Sequence, residues 1–367
     1  MTRLLLKLED FRLLPFLVLF SMAIGILIGN ALKISDFALT PPIDAIKSIA
    51  AGTFDPTLPA LISLGVPIGL FAMMYPAMTN VRLGEVGIAF RSPKQLGVVL
   101  FFNYLIAPFV MLGLANVFVS DPELHTGLIL YGLAPCIAMV IIFTFLAKGN
   151  TPMALVFVAL NSIAQMILIP VYARLLIGNV NFDVLVVAES VILYLGLPLV
   201  AGVATRMIVV RRRGEAGMEA LKPALNAVSI LGLLFTLVVM FALKGDLILQ
   251  RPGIVLEMAI PMTLFFSVMF FTVFLVGWRL RFPYRDAVAV AFNATGRDFE
   301  IAIAISITAF SPTVALATVV GPLIEVPVML FLVWSAMHLA PRLFGVKPLA
   351  VVGGGLVAAA ETAEARP

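Results

Sequence analysis

The sequence predicts an all-α integral membrane protein of ten transmembrane helices, arranged as two inverted five-helix repeats. Three observations predict it. Of 367 residues, 62% are hydrophobic and only 12% charged, against roughly 45–50% and about 25% in an ordinary soluble domain. Ten apolar segments long enough to span a bilayer follow one another with short connections. Lys and Arg gather in alternate connections, as the positive-inside rule describes. A globule of this size has no means of hiding so much apolar surface in water. A soluble enzyme, a nucleic-acid-binding domain and a disordered chain are therefore excluded.

The segments run over residues 13–32, 58–79, 95–118, 126–147, 152–173, 184–205, 225–243, 254–278, 286–310 and 314–340. The first is longer than the roughly 7–15 residues of a signal-peptide core. Lys33 and Ile34 follow it in place of a small-residue cleavage site, so it is read as a helix. Short loops leave no room for a separate soluble domain. One transmembrane domain is expected over 1–340, with repeats at about 10–175 and 180–340. The Ala-, Gly- and Glu-rich tail, 341–367, is expected to be disordered.

With the N-terminus in the cytoplasm, 18 of the 24 Lys and Arg residues lie on the cytoplasmic side. Lys33, Lys47, Arg174, Lys244 and Arg251 lie on the other, and Arg297 falls inside the ninth segment. This asymmetry predicts both termini in the cytoplasm of a bacterial inner membrane. It also accounts for the basic pI near 9.3 without a nucleic-acid partner. Cys136 is the only cysteine, so an internal disulfide and a cysteine-only metal cage are excluded.

Five helices per half is an odd number, so the second half enters the membrane inverted. Transporters commonly use this plan, with the binding site where the halves meet. Thr151-Pro152-Met153-Ala154-Leu155 opens segment five, and Ser311-Pro312-Thr313-Val314-Ala315-Leu316 opens segment ten, roughly 160 residues later. The same offset carries Cys136 onto Gly296-Arg297-Asp298.

Segments four and nine are expected to be discontinuous. In segment four, Gly132 and Pro135 weaken the helix just before Cys136. Carbonyls freed at membrane depth need protein or a watery cavity. Segment nine reads Asn293-Ala294-Thr295-Gly296-Arg297-Asp298-Phe299-Glu300. Its three ionisable groups each cost about 2.5–3.5 kcal/mol at a helix centre even on insertion scales. A static Arg297–Asp298 ion pair that pins the broken helix is the favoured reading over direct substrate contact. Glu300, three residues on, shares that pairing in principle. One arginine does not neutralise two carboxylates, so one of them is expected to take up and release a proton. Glu300 is preferred, because the apolar run Ile301–Ile305 follows it.

Glu325, mid-span between Pro322 and Pro327, ranks second as a proton carrier. Asn161, Ser162 and Gln165 on segment five either line a cavity or bond helix to helix. A lone buried cysteine is, on composition alone, most often a small hydrophobe. Glu189 and Glu257 lie near span ends, within reach of interfacial water. No phosphate-binding GxxxxGK[ST] loop, HExxH pair or Ser-His-Asp set is present. The chain thus has neither an ATPase motor nor a catalytic set, and no cofactor is expected. Transport by such a chain runs on an ion gradient or downhill.

Several motifs occur in a telling order: Val66-Pro67-Ile68-Gly69, Met73-Met74-Tyr75-Pro76-Ala77-Met78, Cys136-Ile137-Ala138-Met139-Val140, Leu146-Ala147-Lys148-Gly149, Val158-Ala159-Leu160-Asn161-Ser162, Phe299-Glu300-Ile301-Ala302 and Gly321-Pro322-Leu323-Ile324-Glu325-Val326-Pro327. Together they resemble the arsenite efflux permease family of the bile acid/arsenite/riboflavin transporter superfamily, over roughly residues 10–340. The resemblance implies helices four and nine unwound where they cross. It implies export of arsenite, and often antimonite, in exchange for protons. The family's essential cysteine on helix four matches Cys136, and its essential glutamate on helix nine matches Glu300.

Arsenite at neutral pH is an uncharged trihydroxide with a soft, thiophilic arsenic. One thiol gives a reversible site where three would hold too tightly. Two departures fall at the crossing. The family usually has Arg before the Cys, where this chain has Pro135. It usually has Gly-Asn-Asn-Phe-Glu, where this chain has Gly296-Arg297-Asp298-Phe299-Glu300. An arginine moved from one crossing helix to the other would preserve the local charge. The aromatic-Asn pair expected after Cys-Ile-Ala-Met-Val is also altered, to Phe143-Thr144. The competing reading is a sodium-coupled symporter of an organic anion, with Arg297 holding the anion.

Overall fold

A computed structural model describes residues 14–32, 48, 51–52, 58–79, 92–137, 139–177, 183–250 and 253–346. Lys33, Lys47, Arg82, Arg91 and Arg251, the residues before 14 and the tail from 347 onward lie outside the described residues. The described residues fold almost wholly as helices: α1 (Leu14–Leu32), α2 (Leu58–Thr79), α3 (Pro93–Phe118), α4 (Pro122–Leu133), α5 (Met139–Leu146), α6 (Thr151–Leu176), α7 (184–213), α8 (215–250), α9 (Gly253–Arg279), α10 (Tyr284–Thr295), α11 (Phe299–Ala309), α12 (Pro312–Val319) and α13 (Gly321–Phe344). The last helix continues four residues beyond the expected 340 and stops at Gly345, whose φ of 67° suits a glycine cap.

Among the described residues, five helices are long and apolar enough to cross a membrane, including α3, α6, α9 and the run that begins at Val184. Large apolar side chains such as Leu27, Ile68, Phe145, Ile167 and Leu185 lie exposed around the outside. In water such a surface would drive association; in a bilayer it is the lipid face. The protein is an integral membrane protein.

Local chemistry sets the helix ends. Asp121, Asn150, Asp183 and Ser311 each accept a backbone N–H in the first turn of α4, α6, α7 and α12. Pro122, Pro152 and Pro312 stand where a missing N–H costs nothing. Gly214, at φ 68°, turns α7 into α8. Arg206 clamps that bend by donating to both oxygens of Glu215, at 2.7 and 2.9 Å.

Helices α1, α2 and α8 pack as one group. Gly25 and Gly29 let the α1 backbone ride directly on Val238–Ala242, where any Cβ would strike a carbonyl. Small residues four apart are the usual device for close contact in lipid. The other helices surround the broken pair. The expected fourth segment is divided between α4 and α5, and the ninth between α10 and α11. Each piece has 8 to 12 residues, about 12–18 Å at 1.5 Å per residue, too short to cross a roughly 30 Å hydrocarbon core alone.

Candidate functional site

The two breaks meet. Pro135 and Arg297 form an isolated antiparallel bridge. Cys136 N–H donates to Gly296 O at 3.0 Å, and Asp298 N–H to Ala134 O at 2.8 Å. Two unwound strands thereby satisfy each other's backbone groups, as burial within apolar spans requires. Gly296 allows the approach: a Cβ there would lie 2.4 Å from Val140 Cγ1 and 3.1 Å from Cys136 Cβ.

The crossing gathers four helix ends. Helices α4 and α10 end there, and α5 and α11 begin there. Carbonyl ends carry partial negative charge and N–H ends partial positive charge. The buried side chains sort accordingly. Asp298 caps α11 by accepting from Ile301 N–H at 3.1 Å, and Glu300 lies in its first turn. Cys136 precedes α5, with Val140 N–H directed at its thiol.

Arg297 turns the other way. Its guanidinium donates to Ala294 O at 2.6 Å, Thr295 O at 3.2 Å, Gly132 O at 3.3 Å and Asn103 Oδ1 at 2.8 Å. It also lies over the Phe265 ring, 5.3 Å from the centroid. The expected ion pair with Asp298, or with Glu300, is not formed: among the described residues no carboxylate oxygen comes within 4.0 Å of the Arg297 guanidinium. The cause is competition. Asp298 is drawn back to cap its own helix, while Arg297 is drawn to carbonyls that the broken helices leave unpaired.

Two residues that pattern reading missed complete this arrangement. Asn103 lies in a π turn of α3, Phe101–Ile106. It accepts from Arg297 and donates to Asn293 O at 3.0 Å. With Gly296 N–H on Phe292 O, all four last carbonyls of α10 are satisfied. Tyr131, on α4, donates to Glu325 Oε2 at 2.8 Å. Glu325 Oε1 accepts from Arg297 N–H at 3.3 Å. Glu325 thus ties α13 to both broken helices. A polar side chain deep in an apolar span was the available signal for Asn103.

Cys136, Asp298, Glu300 and Glu325 lie within electrostatic reach of one another, and Glu325 acts on the cysteine most strongly. The carboxyl groups of Asp298 and Glu300 adjoin. Glu300, at 7%, and Cys136, at 3%, retain some exposure, whereas Arg297 and Glu325 have none. On α6, Ser162 Oγ donates to its own helix at Val158 O. Tyr104 O–H reaches Asn161 at 3.3–3.4 Å. Asn161 Nδ2, both polar atoms of Gln165, Asn293 Oδ1 and Thr144 Oγ1 are buried without a partner among the described residues. Unpaired buried polar atoms are costly, so these call for a partner.

Comparison with known proteins fits this geometry. Residues 67–251 match the family model described as the sodium bile acid symporter family. An arsenical-resistance protein, Acr3, of Corynebacterium glutamicum is 34% identical over 347 residues, covering 90% of each chain. Acr3 of Alkaliphilus metalliredigens is 33% identical over 78% of this chain and 87% of its own. An uncharacterized sodium-dependent transporter of Bacillus subtilis is 27% identical over 82% of this chain and 89% of its own.

Proposed function

This chain belongs to the sodium bile acid symporter family and groups there with the arsenical-resistance proteins, and from that membership we propose that it carries arsenite out of the cell as a secondary transporter. The observation that carries the reading is the lone Cys136, held at the meeting point of two broken helices among three buried carboxyl groups.

Binding is a ligand exchange at arsenic. The Cys136 sulfur forms an As–S bond, one As–OH bond breaks, and the thiol proton leaves with that hydroxide as water. Hydrolysis reverses each step and releases arsenite. The remaining hydroxyls are neutral donors and acceptors, and Asn161, Gln165 and Thr144 offer unpaired partners for them. Antimonite fits the same chemistry.

Proton antiport is the proposed coupling, with Glu300 as carrier, Asp298 as the neighbour that makes a shared proton favourable, and Glu325 in support. The chain is proposed to sit in the bacterial inner membrane with both termini in the cytoplasm, as ten spans in two inverted repeats. The reciprocal bonding of the two breaks supports the repeat. So do the matching caps, Asn150 before Thr151-Pro152 and Ser311 before Pro312. The organic-anion alternative needs a free Arg297; its guanidinium is already engaged by four oxygens and a ring.

The test is arsenite accumulation in everted membrane vesicles. Cys136→Ser is expected to abolish it, and cells carrying Cys136→Ser to lose arsenite resistance. Full-rate accumulation by Cys136→Ser would overturn the proposal.

A further inference from the structure

The carbonyls that Arg297 satisfies come from two different helices. Gly132 O closes α4, and Ala294 O and Thr295 O close α10. Asn103 Oδ1 completes a four-oxygen shell. Each helix C-terminus carries roughly half a negative charge, so the two together present about one, which the guanidinium balances. Half-helix C-terminal ends and unwound carbonyls at membrane midplanes are also where transporters coordinate sodium. The shell is completely buried.

We propose that Arg297 is a tethered cation filling a carbonyl cradle that a small monovalent cation would otherwise occupy, so that this chain runs without sodium at that position. The proposal rests on the reading of the chain as a transporter and names what sets its ion dependence. Four of the five guanidinium N–H groups point into the cradle. With Phe265 covering one face of the group, the charge is committed to the protein rather than offered to a substrate. Removing it leaves four inward-facing oxygens and no counter-charge, a hard-oxygen site that suits sodium.

The experiment is thermal unfolding of the purified full-length protein, without arsenite, in sodium chloride and in choline chloride at equal ionic strength. The wild type is expected to melt identically in both salts. Arg297→Ala and Arg297→Gln are expected to melt lower in choline and to recover several degrees in sodium, saturably. Arg297→Lys, which retains a tethered cation, is expected to ignore the salt. Purification of the neutral variants only in sodium also supports the proposal. It is overturned if both neutral variants melt alike in the two salts or fold in neither, or if sodium stabilises the wild type equally. In vesicles, arsenite accumulation by Arg297→Ala is expected to rise about tenfold in sodium over choline, a coupling of ordinary size. The unfolding arm contains no arsenite, so failure of the arsenite reading leaves it interpretable.

Discussion

Pro135 and Arg297 face each other as partners of a single bridge between the two broken helices. A side chain at either position therefore points into the same small region, and charge lost at one is replaceable at the other. Arg297→Asn is expected to lose most arsenite accumulation when sodium is absent. Adding Pro135→Arg to it is expected to restore a substantial part. Vesicle assays in choline medium check this, and a double variant no better than the single one refutes it.

Gly296 is a packing requirement rather than a conformational one, since its φ of −61° is open to any residue. A Cβ at 296 would collide with Val140 Cγ1 at 2.4 Å. Gly296→Ala is expected to destabilise the protein by about 1–3 kcal/mol, the usual range for overpacking, and Gly296→Val by more. Because the collision pushes Cys136 away from Gly296 O, arsenite accumulation is expected to fall further than folded protein does. Melting temperature and vesicle transport, measured on the same preparations, separate the two effects.

The breaks between α4 and α5 and between α10 and α11 were legible in the sequence because their cost is local. Gly132 and Pro135 weaken one span, and Arg297, Asp298 and Glu300 load the other with groups that lipid rejects. The partners were not legible. Adjacent opposite charges invite a pairing of Arg297 with Asp298, yet an N-cap aspartate bonds forward into its own helix. The break lets consecutive side chains face opposite helix ends. Asn103 and Tyr131 escaped for a different reason. Each is one polar residue in an apolar span, and only the fold, with a π turn in α3, brings them 190 or more residues along the chain to Asn293, Arg297 and Glu325.

Asn103 supplies an acceptor to Arg297 and a donor to Asn293 O at once, so its loss strands a buried cationic donor and a buried carbonyl. Asn103→Leu is expected to cost about 2–4 kcal/mol, more than one neutral hydrogen bond because charged partners are dearer to leave unpaired. Tyr131→Phe removes a single bond to Glu325, which keeps Arg297 N–H, and is expected to cost about 1–3 kcal/mol. Thermal unfolding should rank Asn103→Leu below Tyr131→Phe, and the opposite order would show that Glu325 rather than Arg297 holds the crossing together.

Coupling is a separate question from binding, and the two carboxyl groups at the start of α11 distinguish them. Asp298 is committed to Ile301 N–H, whereas Glu300 is the more exposed of the pair and the proposed proton carrier. Glu300→Gln keeps the size and hydrogen-bonding capacity but not the ionisation. It is expected to leave arsenite exchange between equal concentrations measurable while abolishing accumulation against a gradient driven by imposed acidity inside everted vesicles. Asp298→Asn, which retains an oxygen for the cap, is expected to slow both processes without uncoupling them. Proton-driven accumulation surviving in Glu300→Gln but lost in Asp298→Asn would transfer the carrier role to Asp298. Survival in both would move it to Glu325, whose two hydrogen-bond donors reach it from the broken helices themselves.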